Sequence, residues 1–236
     1  MAIGYDDIPE MEDILLDLQL REGSGAVTHD WAKPHHEEIT LVNTPTWTSL
    51  ASGENVLALN GTNEYLQALA ADTADLDFTS GDYSISMWVK ITDTATSEIL
   101  IGRYGVSLDG WELYWTKVGA IRYLTMRHHH ASLAPSVRTA CYSVGWTEGI
   151  WYHLVITRSG AYPLHYRNGV AVDTTYDVAG VSDPDTCNRD LVIGTRYTKD
   201  ANWFKGQLDT IRVWDRALAS TEPASLFERD RDLYGV

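Results

Sequence analysis

Asp75 and Asp77 are the nearest approach in this chain to the two facing carboxylates that glycoside hydrolysis needs, one protonated as acid and its partner ionised. They fall in a loop-like stretch before Phe78, and no E-x-D-x-E pattern accompanies them, which weighs against hydrolysis. In a strand, His128 and His130 of the His128-His129-His130 run would share a face, and imidazoles so placed suit zinc, copper or nickel. With no third ligand to be inferred, a solvent-exposed polar strand end is the expectation, and the loop pair His35-His36 reads the same way. Cys141 and Cys187 sit in no C-x-x-C and beside no histidine, so neither suggests a metal site or a nucleophile. One bridge, worth about 4 kcal/mol for so long a loop, and two free thiols both remain open. Nine Trp and 13 Tyr stand against three Phe. Rings with a flat apolar face and a polar edge suit sugars and protein surfaces. Trp111, Tyr114, Trp115, Trp146, Tyr197 and Trp203, in or beside loops, form a candidate binding rim, with burial against those loops as the competing reading.

A formal net charge of -15 repels phosphate backbones and anionic membranes, and no basic cluster interrupts it. Nucleic acid is therefore excluded as a partner. No run of about 18 apolar residues exists to span a bilayer. The segment Met1 to Asp13 carries Asp6, Asp7, Glu10, Glu12 and Asp13 with no basic residue and no apolar run, the opposite of a secretory leader. It is expected to lie outside the folded body as an acidic arm, frayed or ordered on a neighbouring subunit of a homo-oligomer. Residues 14–236 are long enough for a sizeable core and are expected to form one domain.

The elements that must position these side chains read as short strands with glycine punctuation. Alternation marks strands at Ile14 to Leu20 and Tyr83 to Ile91, the latter with Ile85, Met87, Val89 and Ile91 on one face. Gly61-Thr62-Asn63 reads as a hairpin turn between Val56 to Asn60 and Tyr65 to Ala68. Near the end, a glycine turn at Gly206 launches a strand to Trp214. Ile211 and Val213 are expected on one face, with Leu208 and Trp214 on the other, so both sides need cover. One short helix is expected from the N-cap Ser220 to about Arg229, with Pro223 tolerated in its first turn. The pattern implies an all-β, two-sheet antiparallel β-sandwich of the jelly-roll kind with that single C-terminal helix.

Six segments in order resemble laminin-G-like domains of the concanavalin A-like jelly rolls. Leu18 to Gly25 is similar to the opening strand, Leu57 to Leu66 to "F-D-G-x-x-D-Y-V", and Tyr83 to Lys90 to "F-T-I-S-x-W-V-K". Trp151 to Thr157 is similar to "W-H-H-V-A-x-T", His165 to Gly169 to "L-Y-V-D-G", and Phe204 to Trp214 to the closing strand. Tyr104 to Gly149 fits poorly. The resemblance implies a non-catalytic recognition or adhesion module acting outside cells or on a virion surface, with a glycan or surface protein as partner. A structural decoration subunit on a viral capsid or tail lattice is the alternative, and a polysaccharide-active enzyme the second. A structural calcium is also implied, held by position by Asp30 and Asp209.

Overall fold

The computed structural model describes residues 9–32, 38–92, 97–119, 121–134, 136–176 and 180–236. Two antiparallel sheets face each other across one core. The first runs β14 (Val170–Val172), β13 (Tyr162–Arg167), β12 (Trp151–Ser159), β7 (Tyr83–Ile91), β17 (Lys205–Trp214), β5 (Asn55–Asn60) and β4 (Thr46–Ser49), with β1 (Ile14–Leu18) also paired to β17. The second runs β15 (Thr175–Tyr176), β11 (Val137–Val144), β10 (Ile121–His129), β9 (Asp109–Val118), β8 (Glu98–Gly105), β16 (Leu191–Ile193), β6 (Tyr65–Ala68), β3 (Ile39–Val42) and β2 (Val27–Thr28). Ile85, Met87 and Val89 of β7 pack against Trp111, Leu113 and Trp115 of β9 and Leu124 and Met126 of β10 in the shared core.

The outer face of the first sheet is covered by helix α1 (Glu222–Tyr234). Leu226 joins Val155, Tyr166 and Trp214, while Phe227 and Tyr234 join Trp88 and Trp151. The Tyr234 ring stacks 3.9 Å from that of Trp88. The helix is capped one residue later and runs five residues further than its sequence pattern suggested. Thr221 is its N-cap and makes no side-chain cap bond; the Glu222 carboxylate accepts the Ala219 N–H and the Arg216 guanidinium just ahead of the helix. Gly235, at φ 70°, ends it.

Strand β17 departs from simple alternation. Asp209 pairs with Trp88 and Arg212 with Ser86, so three residues of β17 span two of β7. The extra residue is a β-bulge at which Thr210 takes φ 47°. It flips the parity of the strand: Leu208, Ile211 and Val213 all face the core, and Trp214 turns to the helix-covered face. The expected pairing of Leu208 with Trp214 is thereby overturned. Gly206 lies inside the strand and starts no turn; a Cβ there would stand 2.2 Å from the Lys90 carbonyl oxygen.

Two further expectations change. Gly61 to Asn63 links β5 in one sheet to β6 in the other, so it is an arch across the sandwich and not a hairpin. Asn60 shapes it by accepting the N–H groups of Thr62 and Asn63 on its side-chain oxygen. The end of the acidic arm is packed, not loose: Met11 is buried, Trp214 Nε1 donates to the Glu10 carbonyl, and Asp215 N–H to the Asp13 carbonyl. Residues 1–8 of the arm, and His35 and His36, lie outside the described residues. Cys141 and Cys187 are free thiols.

The three consecutive histidines are buried rather than solvated. His128 donates from Nδ1 to the Ser182 carbonyl and accepts the Tyr83 hydroxyl on Nε2, each at 2.6 Å. Burial drives the pKa of His128, His153 and His165 down to about 3, and Arg158 beside His128 and Arg212 beside His153 add repulsion. Burial acts on Asp209 in the other sense, lifting it to about 7. As pH falls below 6.5 the unfolded chain binds three histidine protons that the fold refuses, which removes stability. Asp209 holds its proton in the fold, so its contribution is present at low pH and fades as pH rises from 3.8 to about 7. Three against one leaves a net two protons, and stability should rise with pH between about 4 and 6.5 by roughly 1.4 kcal/mol per net proton per pH unit. Urea unfolding across that range is expected to show this slope and His165→Gln to halve it; equal midpoints at pH 5 and 7.5 would contradict the assignment.

Candidate functional site

Alternation on β9 sends Trp111, Leu113 and Trp115 inward and leaves Glu112, Tyr114 and Thr116 on the outer face of the second sheet. On β10, Leu124, Met126 and His128 point in, and Thr125, Arg127 and His129 point out. The register places Arg127 directly opposite Glu112 on one side and Gly102 of β8 opposite it on the other. Gly102 supplies no side chain, and a Cβ there would meet the Glu112 Cβ at 2.9 Å. The glycine thus leaves room for a carboxylate sunk into the sheet surface.

Glu112 Oε1 accepts Arg127 Nη1 at 3.1 Å and His129 Nε2 at 2.9 Å. The His129 Nδ1 accepts the Ser107 N–H, so the ring is a neutral donor toward the carboxylate. Burial first, and then the charge of Glu112 and a hydrogen bond to it, hold the Tyr104 phenol far above its ordinary pKa, so it remains a donor. Arg127 also donates to the Tyr114 hydroxyl and lies 4.2 Å over the Tyr114 ring. The network floors a pocket of about 250 Å³ walled by Ile99 and Val106 and edged by Ser97, Thr116, Arg196 and Asn202.

Of the six expected rim residues, this face brings together two. Tyr114 lines the pocket, and Tyr197 packs edge-on against Tyr104 at 5.3 Å. Trp203 is half-buried beside the Tyr65 ring, next in sequence to Asn202. The other three belong to the interior. Trp111 is fully buried and donates from Nε1 to the Leu76 carbonyl at 2.7 Å. Trp115 is fully buried against Trp146, which in turn meets Tyr152 edge-on. Trp111 and Trp115 point inward from β9 and Trp146 caps the core, so the burial reading holds for these three and they present nothing to a ligand. Glu112, Arg127 and Tyr104, which build the pocket, were not anticipated. Their signal was available: a turn at Gly119 sets Glu112 opposite Arg127 on a shared outward face.

The carboxylates of the implied calcium ligands are each engaged by hydrogen-bond donors. Asp30 Oδ1 accepts the N–H groups of Asp17 and Ala32, at 2.7 and 3.0 Å. Asp209 accepts the Thr210 N–H and the Tyr234 hydroxyl, with Arg21 Nε 3.8 Å away. Hydrogen-bond donors and a cation, not further oxygen ligands, surround these carboxylates, so the pair does not fit a calcium ion. Among the described residues no group of three His, Cys, Asp or Glu side chains assembles to hold a metal.

Two facing antiparallel sheets with one C-terminal helix define a concanavalin A-like β-sandwich. The model of the concanavalin A-like lectin/glucanases superfamily, laminin-G type, matches residues 60–222, and the chain belongs to that superfamily. A search of curated proteins finds no match. Among solved structures, the receptor binding domain of botulinum neurotoxin D superposes with a TM-score of 0.69 at 14% identity, over 94% of this chain and 54% of that one. The binding domain of Paraclostridial Mosquitocidal Protein 1 gives 0.67 at 15%, over 96% and 56%. The botulinum neurotoxin serotype G binding domain gives 0.68 at 16%, over 92% and 51%. At such identity the likeness is one of fold, and this chain spans about half the length of those domains.

Because Glu112 is sunk in the sheet and compensates Arg127, its loss should strand a cation. Glu112→Ala is expected to destabilise the protein by about 3 kcal/mol, and Tyr114→Phe by about 1 kcal/mol, in urea denaturation. Equal costs would mean that the carboxylate does not anchor the network.

Proposed function

We propose that this protein is a non-catalytic glycan-recognition module whose contact site is the Glu112–Arg127 pocket on the outer face of the second sheet. The observation that carries the reading is the state of Glu112. Its carboxylate is already bound by Arg127 and His129 and edged by neutral polar groups, an arrangement suited to holding a hydroxylated ligand in place. Turnover would call for a second carboxylate facing the first across roughly 5–9.5 Å, and Glu112 is the one carboxylate that lines this pocket among the described residues. The Tyr114 hydroxyl accepts from Arg127, and Asn202 donates to the Ser97 carbonyl, leaving its own side-chain oxygen to accept.

The relatives support the class of ligand. Botulinum neurotoxin serotype D has a ligand binding domain solved in complex with N-acetylneuraminic acid, and type C depends on interaction with two ganglioside molecules to enter cells. An extracellular site of action follows from this reading. No described helix is long and apolar enough to cross a membrane. Neither the fold nor these relatives add support to the particle-decoration reading.

A glycan array followed by calorimetry on the full chain tests the proposal. Val106→Glu, at an exposed wall position, and Arg196→Ala should each weaken the best glycan about tenfold, the equivalent of about 1.4 kcal/mol, without lowering thermal stability. Unchanged affinity in both would overturn the site. Polysaccharide turnover abolished by Glu112→Gln would overturn the non-catalytic assignment.

A further inference from the structure

The Glu112–Arg127 pocket has a neighbour on the same face. In the link from β16 to β17, consecutive residues serve two cavities: Arg196 edges the pocket already described, and Tyr197 lines a second, of about 240 Å³, with Asn188, Arg189 and Asp190. The Tyr104 and Tyr197 rings, edge to face at 5.3 Å, form the divide. Asp190 accepts Gln67 Nε2 at 2.7 Å, and Gln67 alternates with the inward Leu66 and Ala68 of β6, so the second cavity also belongs to the outer face. The link is braced from within. Arg196 N–H donates to the Ala201 carbonyl and Lys199 N–H to the Arg196 carbonyl, with Lys199 and Asn202 held at φ 58° and 55°. Groups fixed in this way lose little freedom when a ligand arrives.

Charge is cancelled all along this strip. Arg127 is paired with Glu112 at 3.1 Å, Arg196 with Asp200 at 2.6 Å, Arg189 with Asp109 at 3.3 Å, and Lys199 with Asp190 at 2.9 Å. Each charged side chain that lines either cavity thus has an opposite partner among the described residues. What remains open is hydrogen-bonding capacity. The Asn188 amide and the Tyr197 hydroxyl make no hydrogen bond among the described residues, and Arg196, with Nε and Nη2 committed to Asp200, keeps Nη1. A carboxylate or sulfate on a ligand would have to compete with a protein carboxylate for its cation, in a chain of net charge -15. A sugar hydroxyl needs only a free donor or acceptor.

We infer that the two cavities are successive subsites of one groove, selective for a neutral oligosaccharide of at least two residues over acidic ones. The inference rests on the glycan reading of the Glu112–Arg127 pocket and narrows it in length and charge. The ligand so defined differs in charge from the N-acetylneuraminic acid bound by the serotype D domain.

The full chain is tested on a printed array of neutral mono-, di- and tetrasaccharides of glucose, galactose, mannose and N-acetylglucosamine. Each tetrasaccharide is also present capped with N-acetylneuraminic acid, and calorimetry follows on the strongest tetrasaccharide, its capped form and its monosaccharide. The neutral tetrasaccharide should bind about tenfold more tightly than the monosaccharide and more tightly than the capped form, with one affinity between about 50 and about 300 mM NaCl. Asn188→Ala with Tyr197→Phe should weaken the tetrasaccharide about tenfold, the scale of two hydrogen bonds, and so erase its advantage over the monosaccharide. Asp200→Ala, which releases Arg196, should strengthen the capped form about fivefold. Equal affinity for the two lengths, tighter binding of the capped form, or its indifference to Asp200→Ala would overturn the inference, as would silence of every neutral tetrasaccharide. Val106→Glu separates this failure from that of the pocket. It weakens every length if the pocket binds sugar and only the extension is wrong, and weakens none if the pocket itself is wrong.

Discussion

At Thr210 the backbone of β17 takes a left-handed turn, and one extra residue is accommodated against β7. The rest of the first sheet depends on that bulge. Before it, β17 pairs with β5; after it, with β1. Without the bulge, Ile211 and Val213 would leave the core and Trp214 would enter it, since a shift of one residue exchanges the faces of a strand. With it, Trp214 and Arg212 reach the outer face, where Arg212 Nε meets Asp17 Oδ1 at 2.9 Å and Trp214 receives Leu226 of α1. The polar residues at the bulge are held in turn by the helix, because the Tyr234 hydroxyl donates to Asp209 at 2.5 Å. The bulge and the helix thus fix each other, and the reach of the helix decides how much of the outer face stays open.

Among the described residues no helix covers the outer face of the second sheet, and the charged groups sunk into that face are paired. Glu112, Arg127 and His129 satisfy one another there, and removing the carboxylate would leave both partners without their shared acceptor. The result is a polar surface whose geometry is set before any ligand arrives. Preorganised hydrogen-bonding groups lose less freedom on binding than flexible ones. The superfamily supplies the scaffold, while Glu112, Tyr114, Thr116 and Arg127 of the pocket come from the segment Tyr104 to Gly149, which fits the family pattern poorly, and Ser97, Ile99, Arg196 and Asn202 complete it from outside that segment.

Much of the fold was legible because its strands alternate cleanly: β7 and β12 lie where their apolar residues predict, and six family segments fall in order. What was illegible has physical causes. Periodicity carries no mark of the inserted residue at Thr210, so the faces of β17 were misassigned beyond it. An arch and a hairpin share the same turn residues, so Gly61 to Asn63 could not reveal that β5 and β6 belong to different sheets. Strand β11 presents Thr, Cys and Ser along a weakly apolar edge and was missed. Tryptophan was read as a surface residue because its polar edge suits ligands, whereas the Trp111 indole N–H is satisfied inside the core by the Leu76 carbonyl. The site itself was half visible: Tyr114 and Tyr197 were found by residue type, and Glu112 and Arg127 only through pairing across the Gly119 turn.

The central claim is that ligand contact occurs on the outer face of the second sheet, over the Glu112–Arg127 network. Side-chain and backbone NMR shifts, followed while the full chain is titrated with its best-bound neutral glycan, test it most directly. The account predicts that the largest perturbations cluster at Tyr104, Tyr114, Arg127, Arg196 and Asn202, with the core signals of Trp111 and Trp115 unmoved. Perturbations confined to Asp30 and the β17 bulge at Asp209, or a quiet second sheet under saturating glycan, would contradict it.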